Sequence, residues 1–139
     1  MTDEPESAVR IRHHAGFACI RPADPISLED LEDALVDAFL LIRGALDERN
    51  EAVVVTVDDR QLQGRVETAS AALAHGLLGL VRALAIEGRK EGWNVNMLAV
   101  TPGVSAEQER AWIERLAEPG GASGTVIRLG DDHLGRLSA

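Results

Sequence analysis

Val9 and Ile11 are separated by Arg10 and Arg12, the period-two pattern of a strand with one face in water. His13, His14, Ala15 and Gly16 break it, and a short apolar run from Phe17 to Ile20 leads into a loop containing Pro22 and Pro25. Residues 8–20 are therefore either a hairpin or one strand with an irregular connection. Apolar residues then recur at Leu28, Leu31, Leu35, Ala38 and Ile42, and Ser27 stands as an N-cap ahead of Glu29 and Asp30, which predicts a helix over about 27–48. Ala52 to Val57 is a continuous β-branched run, expected of a strand covered on both faces and ended by Asp58 and Asp59. A second helix is predicted over 67–90, a strand over 93–100 stopped by Thr101-Pro102-Gly103, a third helix over 105–118, and a last strand over 125–129. This alternation predicts an α/β fold: a truncated, Rossmann-like parallel sheet of about four strands with right-handed crossovers, helices on both faces and a possible N-terminal β-hairpin at the edge. One domain over 8–139 follows a flexible tail at 1–7.

The second helix changes this picture most. It carries no formal charge from Thr68 to Val81, whereas a surface helix shows a polar stripe. One sheet covers only part of a helix, so a further cover is expected, either another chain or burial within this one. Gly76 and Gly79 lower helix propensity and are expected where helices cross closely. The same stretch is too short to span a bilayer, and the acidic N-terminus is unlike a secretory signal.

Charge narrows the function classes. Fourteen Lys and Arg stand against 23 Asp and Glu, a net charge of −9, which disfavours nucleic acid or an anionic membrane as partner. Residues 1–60 hold 14 acids and 6 bases, so the excess lies in the front half, with Glu29, Asp30, Glu32, Asp33 and Asp37 read as a solvated helix N-terminus. The single Cys19 cannot form an internal disulfide, which is consistent with a cytoplasmic location. Cys19 is expected to be a small buried apolar residue, and Trp93 and Trp112 to be core or interface anchors.

The segment ASAALAHGLLGLVRALAIEGRKEGWNVNMLA resembles the active-site helix and following strand of the short-chain dehydrogenase/reductases (SDR), including their 3-oxoacyl-ACP reductases. Gly79, Leu80, Arg82, Leu84, Ala85, Glu87, Gly92, Val95 and Asn96 carry the likeness. The SGTVIRLGDD segment is similar to the family's last strand, and His13-His14-Ala15-Gly16 stands where the family has Asn-Asn-Ala-Gly. The resemblance spans about residues 8–134 and is most specific from 69 to 98.

Carried over position by position, the resemblance places Ser70 at the family's catalytic Tyr and Ala74 at its Lys. It places Asp58 or Asp59 near the family's Ser and Ala34 near its helix Asn. A phenol made acidic by a neighbouring ammonium is the family's proton donor, and a Ser four residues from an Ala supplies nothing comparable. There is no Tyr in the chain. No Gly-rich dinucleotide turn precedes residue 8, and Gly120, Gly121 and Gly124 lead into a strand, not a helix. The resemblance thus implies a catalytically inactive relative (a pseudoenzyme) with no cofactor. In the family the two corresponding helices form a four-helix bundle with a second subunit, which here implies an interface through Leu35, Ala38, Phe39, Ile42, Leu73, Leu77, Leu80, Val81 and Leu84. The partner would be a second copy or a full-length reductase.

A competing reading uses the carboxyl edge of the sheet, the usual ligand side. His13, His14, Asp58, Asp59, Asp131, Asp132 and His133 are all expected to arrive there, as metal ligands or a small enzyme's site on one view, and as turn formers and helix caps on the other.

Overall fold

The computed structural model describes residues 8–23 and 25–130. Five strands form one sheet in the order β1 (Val9–His14), β2 (Phe17–Pro22), β3 (Ala52–Asp58), β4 (Val95–Val100) and β5 (Val126–Leu129). β1 and β2 are an antiparallel hairpin, so the first of the two readings of residues 8–20 holds. Gly16, at φ 86°, makes its turn, in the left-handed region that glycine enters without steric cost. From β2 to β5 every pairing is parallel. The result is an α/β, Rossmann-like sheet with β1 as an antiparallel edge.

Helix α1 (Leu28–Arg43) starts where Ser27 accepts a hydrogen bond from the Asp30 amide, and it runs on through a π-helical turn, Gly44–Glu48. A one-turn helix, α2 (Asp59–Leu62), follows β3 directly, and α3 (Thr68–Glu87) and α4 (Ala106–Leu116) complete the chain's helices among the described residues. Sequence periodicity misses α2 because four residues hold no repeat to detect.

Val53, Val54 and Val55 are all fully buried, as a strand sandwiched between two layers requires. Alternate residues of the sheet feed two cores. Ala18, Ile20, Val53, Val55, Met97 and Ala99 pack with Ala34, Ala38 and Ile42 of α1 and Leu73, Leu77, Val81 and Leu84 of α3. Val54 and Leu98 face the other way, against Trp112, Ile113 and Leu116 of α4.

This division corrects the expected crossovers. Strands β2 to β5 are laid down in one direction across the sheet, so crossovers of a single hand would put α1, α3 and α4 on one face. α1 and α3 share a face and α4 lies on the other, so β4–α4–β5 has the opposite hand from the two before it. The physical reason is space: α1 and α3 already fill one face, while Val54 and Leu98 on the other need a cover.

Asn96 fastens this last unit. Its amide nitrogen lies 2.7 Å from Asn94 Oδ1, 3.0 Å from the Leu116 carbonyl and 2.7 Å from the Ala122 carbonyl, and its Oδ1 accepts from the Thr125 amide at 3.0 Å. The side chain is completely buried, so these bonds are what make its burial tolerable.

Candidate functional site

The expected crevice is not assembled as the sequence suggests. His14 pairs with Phe17, and Phe17 with Ala52, which sets the end of β1 beside the beginnings of β2 and β3. Asp58 lies six residues further along β3, about 20 Å away at the rise of a strand. A hairpin reverses direction, so His13 and His14 reach the amino edge while Asp58 and Asp59 reach the carboxyl edge. His13, His14, Ala15 and Gly16 lead into and form the hairpin turn. Asp131, Asp132 and His133 lie outside the described residues, as does the tail at 1–7.

His13, Asp58 and Asp59 each have a structural partner. His13 Nδ1 is 2.8 Å from Glu51 Oε1, which also accepts from Arg49 Nε at 2.7 Å. Burial alone would raise the Glu51 pKa, but the bonds from Arg49 and His13 outweigh it and hold the carboxyl below its ordinary range. Asp58 N-caps α2 in a capping box with Gln61, and Arg60 lies 2.6 Å from its carboxylate. The Arg60 bonds lower its pKa against a smaller opposing effect of burial. Asp59 is buried, accepting from Arg128 Nε at 2.7 Å and from Gln63 Nε2 at 2.8 Å, and it thereby ties the end of β3 to β5. Among the described residues no three His, Cys, Asp or Glu side chains are grouped as metal ligands.

The positions implied for the family's proton donor are internal. Ser70 is 1% exposed and accepts a hydrogen bond from the Ile26 amide at 3.3 Å, which holds the loop ahead of α1 against α3. Ala74 sits in the core, and Ala34 does too.

The residues nominated for an interface divide by depth. Ala38, Ile42, Leu73, Leu77, Val81 and Leu84 are spent on the sheet within this chain, and Leu35, Phe39 and Leu80 are half-buried. A helix lays its most apolar stripe on the sheet, so periodicity selects core residues first. The exposed residues of the α1–α3 pair include Val36 (50% exposed), Leu40 (60% exposed), His75, Gly79 and Ala83, with half-buried Ala72 and Leu80, and among them the charged Glu32, Asp33, Arg43 and Arg82, Arg43 pairing with Glu87. Gly76 behaves as expected, since a Cβ there would stand 2.6 Å from the Leu35 side chain. Gly79 meets no such neighbour within this chain: beyond the backbone of its own helix, no described atom lies within 4 Å of where its Cβ would be.

By length and composition α3, at 20 residues, is apolar enough to cross a membrane, which corrects the shorter estimate from its uncharged segment alone. Its packing on the sheet gives the apolar character an ordinary cause.

A site the sequence reading did not identify lies on the opposite face of the hairpin. A cavity of about 640 Å³ opens between β1–β2 and α4, bordered by Arg12, Arg21 and Arg110 with Phe17, Cys19 and Ile113. Cys19 is half-buried here, and not a closed core residue; burial pushes its thiol pKa up, against the opposing pull of Arg21 and Arg12. The available signal was the alternation of Arg10, Arg12 and His14, which reads equally well as a strand face in water. Trp112 backs α4 beside this region, with the Arg115 guanidinium 5.0 Å above its ring, and Trp93 lies against Gly88 at the end of α3.

No known protein family matches the chain, and no curated protein matches it.

Proposed function

We propose that this chain is a non-catalytic, SDR-like subunit that associates through the outward face of α1 and α3, with a second copy or with a full-length NAD(P)-dependent reductase. The observation that carries this reading is the character of that face. Val36 and Leu40 stand exposed beside an α3 surface of Ala72, Gly79, Leu80 and Ala83, on a helix with no formal charge from Thr68 to Val81. Exposed apolar side chains gathered on two adjacent helices support an association site there. The outlying small residues would let a partner helix approach closely.

The chemical side of the reading rests on residue types. The resemblance puts Ser70 and Ala74, both enclosed, at the positions of the proton donor and its activating ammonium. Neither is a proton donor poised near neutral pH, and the chain has no Tyr to replace them. Such a subunit would bind no dinucleotide and would work in the cytoplasm.

Sedimentation velocity of the purified chain between 1 and 100 μM, on the order of usual working concentrations, tests the self-associating form. Expected is a dimer that Leu40→Glu converts to a folded monomer. A monomer throughout, together with failure to co-purify a short-chain reductase from the native source, would refute the proposal. Fluorescence titration with NADH and NADPH is expected to give no saturable change.

A further inference from the structure

We propose that the cavity between the β1–β2 hairpin and α4 binds a small organic anion with a flat apolar body, its charge held by Arg12 and Arg110. This goes beyond the association reading and does not depend on it, because the cavity is on the sheet face away from α1 and α3.

Strand alternation sets the site's chemistry. Arg10, Arg12 and His14 of β1 and Phe17, Cys19 and Arg21 of β2 share one face, and α4 supplies Glu109, Arg110, Ile113 and Glu114 from the other side. α4 packs over Val54 and Leu98 and reaches the hairpin at Phe17 and through the Arg21–Glu109 pair, with open space between these contacts. Its volume, about 640 Å³, is in the range of small-molecule sites.

Four arginines and two glutamates border this space in a protein of net charge −9, so the local sign is the reverse of the global one. Arg21 is engaged by Glu109 across the cavity. Among the described residues, Arg12 and Arg110 have no ion pair or side-chain hydrogen bond. One comes from the hairpin and the other from the helix, so an anion between them would be gripped from two elements. Guanidinium groups suit carboxylate and phosphate because their planar N–H forks match paired oxygens. The apolar component is as definite: the His14 ring lies on Phe17 with centroids 4.8 Å apart and planes 16° from parallel, a shelf on which a flat group can stack. The global negative charge disfavours a nucleic acid strand, leaving a small molecule as the occupant.

The probes are 1-naphthyl phosphate and 1-naphthaleneacetate, compared with neutral 1-naphthalenemethanol by isothermal titration at low salt. Saturable binding of at least one anion is expected, weakened tenfold or more by Arg12→Glu and by Arg110→Glu, with the alcohol much weaker. Bound anion should also slow alkylation of Cys19, the chain's only thiol. If a charge reversal disturbs the far-UV spectrum, Arg12→Gln and Arg110→Gln replace it, with a smaller loss in the same direction expected. Absence of saturable binding, equal binding of the alcohol, or affinity unchanged in the arginine variants would each overturn the proposal. The wild-type titration is read at a concentration where sedimentation shows one species, so failure of the association reading leaves this result intact.

Discussion

At the scale of single residues, buried polar groups decide more than the apolar pattern does. Asn96 looks unremarkable in WNVNMLAV, yet its amide joins β4 to the end of α4 and to the loop before β5. Asn96→Ala leaves the Leu116 and Ala122 carbonyls and the Thr125 amide without their partner, and a loss of about 2–4 kcal/mol is expected in urea unfolding, since each unsatisfied buried group costs about 1–3 kcal/mol. Glu51 makes a pH-dependent contribution. Its folded pKa lies below its unfolded one, so around the carboxylate range the unfolded chain binds more protons and stability rises with pH. The contribution is complete above the ordinary Glu value and is lost as pH falls through the lowered one. Urea midpoints measured from pH 7 down to 3 should therefore fall less steeply in Glu51→Gln than in the parent. Asp58 and Asp59, read in the sequence as part of a shared site, were legible as residues but not as partners, because pairing with Arg60 and Arg128 depends on where β3 ends and on the strand beside it.

At the scale of elements, α1, α3 and α4 are legible because each spans enough residues to show a period, and β3 to β5 because turn residues bound their apolar runs. The hairpin is ambiguous in the sequence because Ala15-Gly16 is not one of the common two-residue hairpin turns. The two glycines of α3 look alike in sequence and differ in the fold. Gly76 accommodates Leu35, whereas Gly79 faces open space. Gly79→Ala is thus expected to stabilise the isolated chain by about 0.5–1 kcal/mol through helix propensity, measured by thermal or urea unfolding. If a partner helix approaches at that position, the same substitution weakens association in sedimentation while the monomer gains stability. Leu98→Ala, in the smaller core under α4, should cost about 2–5 kcal/mol and loosen α4 first, which amide hydrogen exchange would register as lost protection in residues 106–116.

At the scale of the whole molecule, the two faces of the sheet have separate uses. One is filled by α1 and α3, whose outer surface exposes apolar and small residues; the other is covered by α4 only in part and leaves a basic cavity. Association and anion binding are therefore predicted to vary independently: Leu40→Glu should leave naphthyl phosphate affinity within twofold of the parent, and Arg12→Glu should leave the sedimentation profile unchanged. Coupled loss of both in either variant would mean that the two faces are not separate.

The α/β class, the order of the longer elements and the unusual absence of charge from Thr68 to Val81 were determined by the sequence alone, since period, capping and composition are local properties. The sheet edge reached by His13 and His14, the face taken by α4 and the gathering of arginines around Cys19 were decided only by the tertiary structure. Each depends on the direction in which a strand or crossover returns. That direction is set by how much of each sheet face the preceding helices have already covered, which no window of neighbouring residues contains.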